Sequence, residues 1–131
     1  MGAGSNTLIR DGGFDGIIVK FGKSFSHLSL LNENTLIAGA SALDRSVSNF
    51  ASENSLSGFE FLSCIPGSIG GAITMNSGCY DNDISQVFLS LKAINLEGEI
   101  EIYNKDQIKF FYRGNNLKKN LKKVHFHYID L

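Results

Sequence analysis

Proline is almost missing from this chain, with 1 residue in 131, and cysteine is scarce, with 2. One proline, no repeat period and no linker-like stretch exclude collagen-like and low-complexity readings. Cys64 and Cys79 lack metal-ligand spacing and secretory context, so they are read as reduced thiols rather than a disulfide. Excess charge is lacking too. The net charge is -1, which argues against bulk attraction to nucleic acid or to an anionic membrane. No apolar run approaches the roughly 20 residues that span a bilayer. No charged leader precedes an apolar stretch, so the expected location is cytoplasmic.

What is present in excess is glycine, with 14 residues. The glycines cluster at 2–16 and 67–78, where they imply close backbone approach or positive φ. Around them the chain reads as one α+β domain of moderate core. Strands are expected at Thr7–Asp11, Gly16–Phe21 and Asn34–Ala40. A helix follows, capped by Ser41, with Leu43, Val47, Phe50 and Ala51 on one face. Ser57 and Glu60 fit a capping box opening a short helix that must stop before Pro66. Val87–Asn104 reads as two strands around Glu97-Gly98-Glu99, Lys105–Arg113 as helical, and the alternation of Val124, Phe126 and Tyr128 as a strand.

Four motifs are rejected as lures. "GAGSNT" lacks the third glycine of a dinucleotide fingerprint and no βαβ unit frames it. "FGKS" lacks the glycine that a phosphate loop needs, because position 17 is Ile17. His125 and His127 would share a strand face without a third metal ligand, so no metal is expected. "KKNLKK" reads as a solvated surface.

Two glycine segments carry the functional reading. Gly2, Gly4, Ser5 and Asn6 make a turn with bare backbone N–H groups, suited to an anion. "IPGSIGGAITMNSG" places Pro66-Gly67 in a tight turn and Ser68 at a helix start, with Gly70 and Gly71 stripping side chains from the next turn. Met75, Asn76 and Gly78 would continue along the ligand. Two such segments in one small domain point to a long phosphate ligand.

"GAGSNTLIRDGGFDGIIVK", "GFEFLSCIPGSIGGAITMNSGCY" and "FFYR" together resemble the UDP-N-acetylenolpyruvoylglucosamine reductase family, over residues 1–113. The P-G-S-x-G-G piece alone is similar to the wider vanillyl-alcohol-oxidase, PCMH-like FAD fold. The resemblance implies an FAD-binding α+β subdomain with a mixed or antiparallel sheet and flanking helices. It implies FAD held non-covalently by Gly2, Gly4, Ser5, Asn6, Pro66, Gly67, Ser68, Gly70, Gly71, Ala72, Asn76 and Gly78. NADPH is the implied co-substrate and a UDP-sugar enolpyruvyl ether the implied substrate. Tyr112-Arg113 matches a substrate-binding pair, in which Arg113 would be catalytic by stabilising an enolate.

The resemblance is incomplete. The strand expected before the first glycine turn is absent, the family's serine two residues after the arginine is Asn115, and the proton-donor serine and its glutamate partner would lie beyond Leu131. Residues 1–131 therefore read as one FAD-binding domain, incomplete at its start and without the substrate-binding C-terminal domain. An inactive remnant, or another FAD-linked oxidoreductase of this fold, is the alternative. The missing parts of the same enzyme are expected partners.

Overall fold

A computed structural model describes residues 1–95 and 97–117, and the backbone of 125–130. The lysine-rich stretch from Lys118 to Lys123 lies outside the described residues, as do the side chains of His125 and His127.

The chain is built around a five-stranded sheet in which every pairing is antiparallel. Its strands are β1 (Leu28–Asn32), β2 (Thr35–Gly39), β5 (Ser90–Ile94), β6 (Ile100–Asn104) and β9 (His125–Asp130), in the order β1-β2-β9-β5-β6. Between β2 and β5 come α1 (Asp44–Glu53), α2 (Ile69–Met75), the two-residue strands β3 (Gly78–Cys79) and β4 (Asn82–Asp83), and α3 (Ile84–Val87). Between β6 and β9 lie β7 (Phe110–Phe111) and β8 (Gly114–Asn115), paired as a hairpin. This is the expected α+β class with flanking helices.

The core lies between one face of the sheet and the helices. Leu36 and Ala38 of β2 and Leu91 and Ala93 of β5 point inward at the strand period of two. They share a cluster with Val47 and Ala51 of α1 and with Ile69, Ala72 and Ile73 of α2, spaced for a helix. β6 turns Ile100 and Ile102 to solvent as an edge strand.

Several elements differ from the sequence expectation. Residues 7–10 and 17–20 have no ladder and no helix, because their backbone runs over the surface rather than beside a strand. α1 is capped at Leu43, not Ser41, whose hydroxyl instead donates to Gly22 O at 3.0 Å. Glu60 does reach back, but to the Gly58 N–H rather than to Ser57, and the helical stretch is a 3-10 turn over Glu60–Cys64. It ends where Pro66 requires, with Ile65 extended. The helix expected over Lys105–Arg113 is a 3-10 turn at Lys105–Gln107 followed by the β7–β8 hairpin. An Asn104–Gln107 capping box starts that turn, and Asn116 holds the Lys109 N–H at 2.8 Å, diverting the chain from a helix.

Candidate functional site

The two glycine segments face each other across a cleft of about 790 Å³. Its walls come from 2–7, from 20–23, from the β2–α1 loop at 40–44, and from the start and inner face of α2. Gly4 takes φ +90° in the first wall, and the Thr7 N–H closes that turn on Gly4 O at 3.1 Å. The β2–α1 loop is fixed by Ile69 N–H on Ala42 O, Gly70 N–H on Ala40 O and Asp44 N–H on Gly67 O. The Gly70 N–H, expected to be offered to a ligand, is thus spent inside the chain.

The two helix glycines have different reasons to be glycine. A Cβ on Gly70 would stand 3.0 Å from Ala40 O, so its bareness lets α2 approach the end of β2. A Cβ on Gly71 would meet only Ser68 Oγ, at 3.6 Å, an ordinary contact. Packing within the described chain does not demand glycine at 71, and this residue lines the cleft. Gly2 completes the crossing, since a Cβ there would come within 2.6 Å of Ser68 Oγ.

Of the residues expected at a cofactor, Gly2, Gly4, Ser5, Asn6, Gly67, Ser68, Gly70, Gly71 and Ala72 line this cleft, and Pro66, Asn76 and Gly78 do not. Asn76 ends α2 in the left-handed region, at φ 44°, and its side chain binds Asp83 and the Ser85 N–H. Gly78 lies against β4, where a Cβ would be 2.5 Å from Asn82 O. Both serve the turn that leaves α2.

Tyr112 and Arg113 are not among the cleft residues either. They form the exposed tip of the β7–β8 hairpin, with Arg113 at φ 57° and its guanidinium 5.6 Å from the centre of the Tyr112 ring. The Arg113 guanidinium, by hydrogen bond and charge, holds the Tyr112 phenol below its usual range. Asn115 anchors the hairpin to the site. It is buried, and its amide donates to Ile73 O near the end of α2 at 2.8 Å. The departure from the family pattern at this position is therefore a structural tie.

Sequence reasoning missed Lys20, Lys23 and Asp44, all of which line the cleft. The "FGKS" stretch is no phosphate loop, for its last two residues open a 3-10 turn at Lys23–Phe25, yet its lysine lines the cleft. Asp44 is 0% exposed, and neither of its carboxylate oxygens has a hydrogen-bond partner among the described residues. Burial pushes its carboxyl up to about 7. The hydroxyl of Ser68, itself buried, also lacks a partner. A buried polar atom without a partner is costly, and among the described residues these two groups carry that cost. The signal at Asp44 was present but ambiguous, because an acid in the first helical turn usually faces solvent and the dipole.

The thiols of Cys64 and Cys79 are both free. Burial pushes Cys79 up, and its contact with the Cys64 thiol adds to this. Among the described residues no three His, Cys, Asp or Glu side chains are placed to hold a metal, and no helix is long and apolar enough to cross a membrane.

Comparison with known proteins shows the family and the fold. A family model described as an FAD binding domain matches residues 1–104. The chain is 46% identical over 121 residues to a UDP-N-acetylenolpyruvoylglucosamine reductase of Pelagibacter ubique, covering 92% of this chain and 40% of that protein. It is 43% identical over 120 residues to the protein of that name from Rickettsia canadensis, with the same coverage. The chain thus spans about two fifths of the length of these relatives. The crystal structure of the UDP-N-acetylenolpyruvylglucosamine reductase of Thermus caldophilus shares the fold, with a TM-score of 0.76 at 22% identity, covering 89% of this chain and 41% of that one. The family match over most of its length and the two glycine segments meeting in one cleft identify this chain as a member of the FAD binding domain family, homologous to the UDP-N-acetylenolpyruvoylglucosamine reductases.

Proposed function

We propose that this chain is the FAD-holding part of an NADPH-dependent reductase that converts UDP-N-acetylglucosamine enolpyruvate to UDP-N-acetylmuramate in peptidoglycan synthesis. The observation that carries the cofactor reading is the cleft in which the two glycine segments face each other and Gly71 leaves its backbone open. The names of the relatives support the reaction. When bound, FAD would supply the hydride-carrying chemistry that no side chain provides.

The chain's own residues would bind and orient. Gly2, Gly4, Ser5 and Asn6 on one wall and Ser68, Gly71 and Ala72 on the other would hold the diphosphate, with Lys20 and Lys23 balancing its charge. Pro66 and Gly67 would set the turn that brings Ser68 inward. Arg113, presented with Tyr112 at a hairpin tip, would meet the anionic substrate and steady the charge that develops beside its carboxylate. The reaction is assigned to a protein of the relatives' length, working in the cytoplasm. The 131 residues alone are expected to bind FAD without turning substrate over.

Titrating the chain with FAD and following flavin fluorescence tests the first part. Saturable quenching that is lost in Gly71→Val, with circular dichroism unchanged, is the expected result. Equal quenching in both proteins would overturn the placement of the cofactor. NADPH consumption dependent on the enolpyruvyl substrate, at roughly 1 per second or more, would overturn the expectation that this part is inactive alone.

A further inference from the structure

Cys64 and Cys79 stand immediately outside the two ends of the second glycine segment, residues 65–78. Neither lines the cleft. Cys64 is the last residue of the 3-10 turn over Glu60–Cys64, and Cys79 ends β3. β3 packs against that turn, so the fold brings together two residues that α2 separates in the chain. Both positions are fixed by backbone hydrogen bonds. The Ile65 N–H closes the turn on Leu62 O at 3.2 Å, and Cys79 is paired with Asn82 in the β3–β4 ladder. The two thiols meet, and both are free. They differ in access, since Cys64 is exposed and Cys79 half-buried. Burial and the neighbouring Cys64 thiol hold Cys79 above the usual thiol range.

An exposed thiol beside a shielded one is the arrangement of an attacking and a resolving cysteine. We propose that Cys64 and Cys79 are a modification site, a dithiol that a small disulfide such as oxidised glutathione converts reversibly to a disulfide closing a ring around residues 65–78. The Cys64 thiolate attacks one sulfur of the glutathione disulfide and releases one glutathione. The Cys79 thiolate then attacks the Cys64 sulfur and releases the second. One sulfur–sulfur bond breaks and one forms, with a mixed disulfide between the two steps. The two cysteines are oxidised, the glutathione disulfide is reduced, and the two thiol protons pass to the departing glutathiones. In a reducing compartment such a bond is transient, which suits a sensor rather than a permanent staple. The ring ties the two ends of the α2 wall together and adds no group to the cleft. Because neither cysteine lines the cleft, this exchange does not depend on what the cleft binds.

The ligand-free chain would be incubated in dilute solution with oxidised glutathione and then with dithiothreitol. Thiol counting, mass spectrometry and thermal melting would follow each step. The expected product has lost both thiols, keeps no glutathione and is monomeric. Its melting temperature is raised by about 10 °C, because the ring restricts the unfolded chain. Dithiothreitol should reverse every change. Cys79→Ala should retain one glutathione on Cys64 and show no rise in melting. Cys64→Ala should react at least about 10-fold more slowly, since only the shielded thiol remains. The wild type decides the point even where a variant fails to fold. A wild type that keeps glutathione without closing the ring, or links one chain to another, overturns the proposal. So does a ring that leaves the melting temperature unchanged or lowers it, because the two cysteines would then not be placed for a bond in the folded chain.

Discussion

Asp44 ties the chemistry of one residue to the stability of the chain. Its carboxyl is raised from 3.8 to about 7 by burial, so the folded protein holds a proton there that the unfolded chain has already released. Between those two values the folded state binds more protons, and its stability must fall as pH rises. The loss is complete just above pH 7 and amounts to at most about 4 kcal/mol. Thermal melts of the ligand-free chain from pH 4.5 to 8 should show this decline, and Asp44→Asn should flatten it. A wild-type profile that rises over the same range would contradict the assignment. The adjacent glycines of α2 make a second prediction at this scale. Gly70→Ala pushes a methyl to 3.0 Å from Ala40 O and should cost about 1–3 kcal/mol. Gly71→Ala meets no such obstacle and should stabilise the ligand-free chain by up to about 1 kcal/mol, through helix propensity, while weakening FAD binding. Denaturant melts with and without FAD separate the two.

Among the elements, the β7–β8 hairpin has the most conditional geometry. Its strands are two residues each, and Arg113 sits at φ 57°, a conformation that disfavours side chains with a Cβ. The hairpin holds its place because Asn115 bonds Ile73 O from a buried position and also accepts the Leu117 N–H. Asn115→Leu should cost about 1–3 kcal/mol, because it strands a buried carbonyl. Arg113→Gly relieves the backbone and should raise stability by roughly 1 kcal/mol. The same change should abolish substrate-dependent turnover in a protein of the relatives' length while sparing FAD binding. Urea melts and an NADPH assay on the paired variants decide the point. Retained turnover would remove Arg113 from the proposed site.

For the whole molecule, the uneven feature is the stretch before the sheet. Leu8 is 92% and Ile17 90% exposed, and neither lies in a helix or ladder. Yet both ends of this stretch, 2–7 and 20–23, line the cleft. Trypsin should therefore cut at Arg10 before it cuts in the core. A ligand filling the cleft should slow cleavage at Lys20, which lines it, more than at Arg10, which does not. Mass spectrometry of timed digests with and without FAD reads this directly. Equal protection at both sites would mean that the cleft walls are not where FAD binds.

Local chemistry was legible in the sequence wherever a residue's neighbours in the chain are also its neighbours in space. The period of β2, the buried face of α1 at Val47 and Ala51, the stop before Pro66 and the β5–β6 pair all follow from patterns a few residues long. So does the P-G-S-x-G-G turn, because a chain that must bend and then start a helix needs those residue types. Tertiary structure decided the rest. β9, near the end of the chain, enters the sheet between β2 and β5, pairing Ala38 with Ile129 and Leu91 with Ile129 from the other side. No local pattern encodes that, since strand pairing at long range is chosen by the whole core. The same holds for Asp44. Its place in a first helical turn reads as solvated, and only the packing of the Gly67 turn against the β2–α1 loop removes it from water. Which glycine serves packing and which leaves room for a ligand was likewise settled by distance across the fold: Gly70 faces a carbonyl of this chain, and Gly71 faces the cleft.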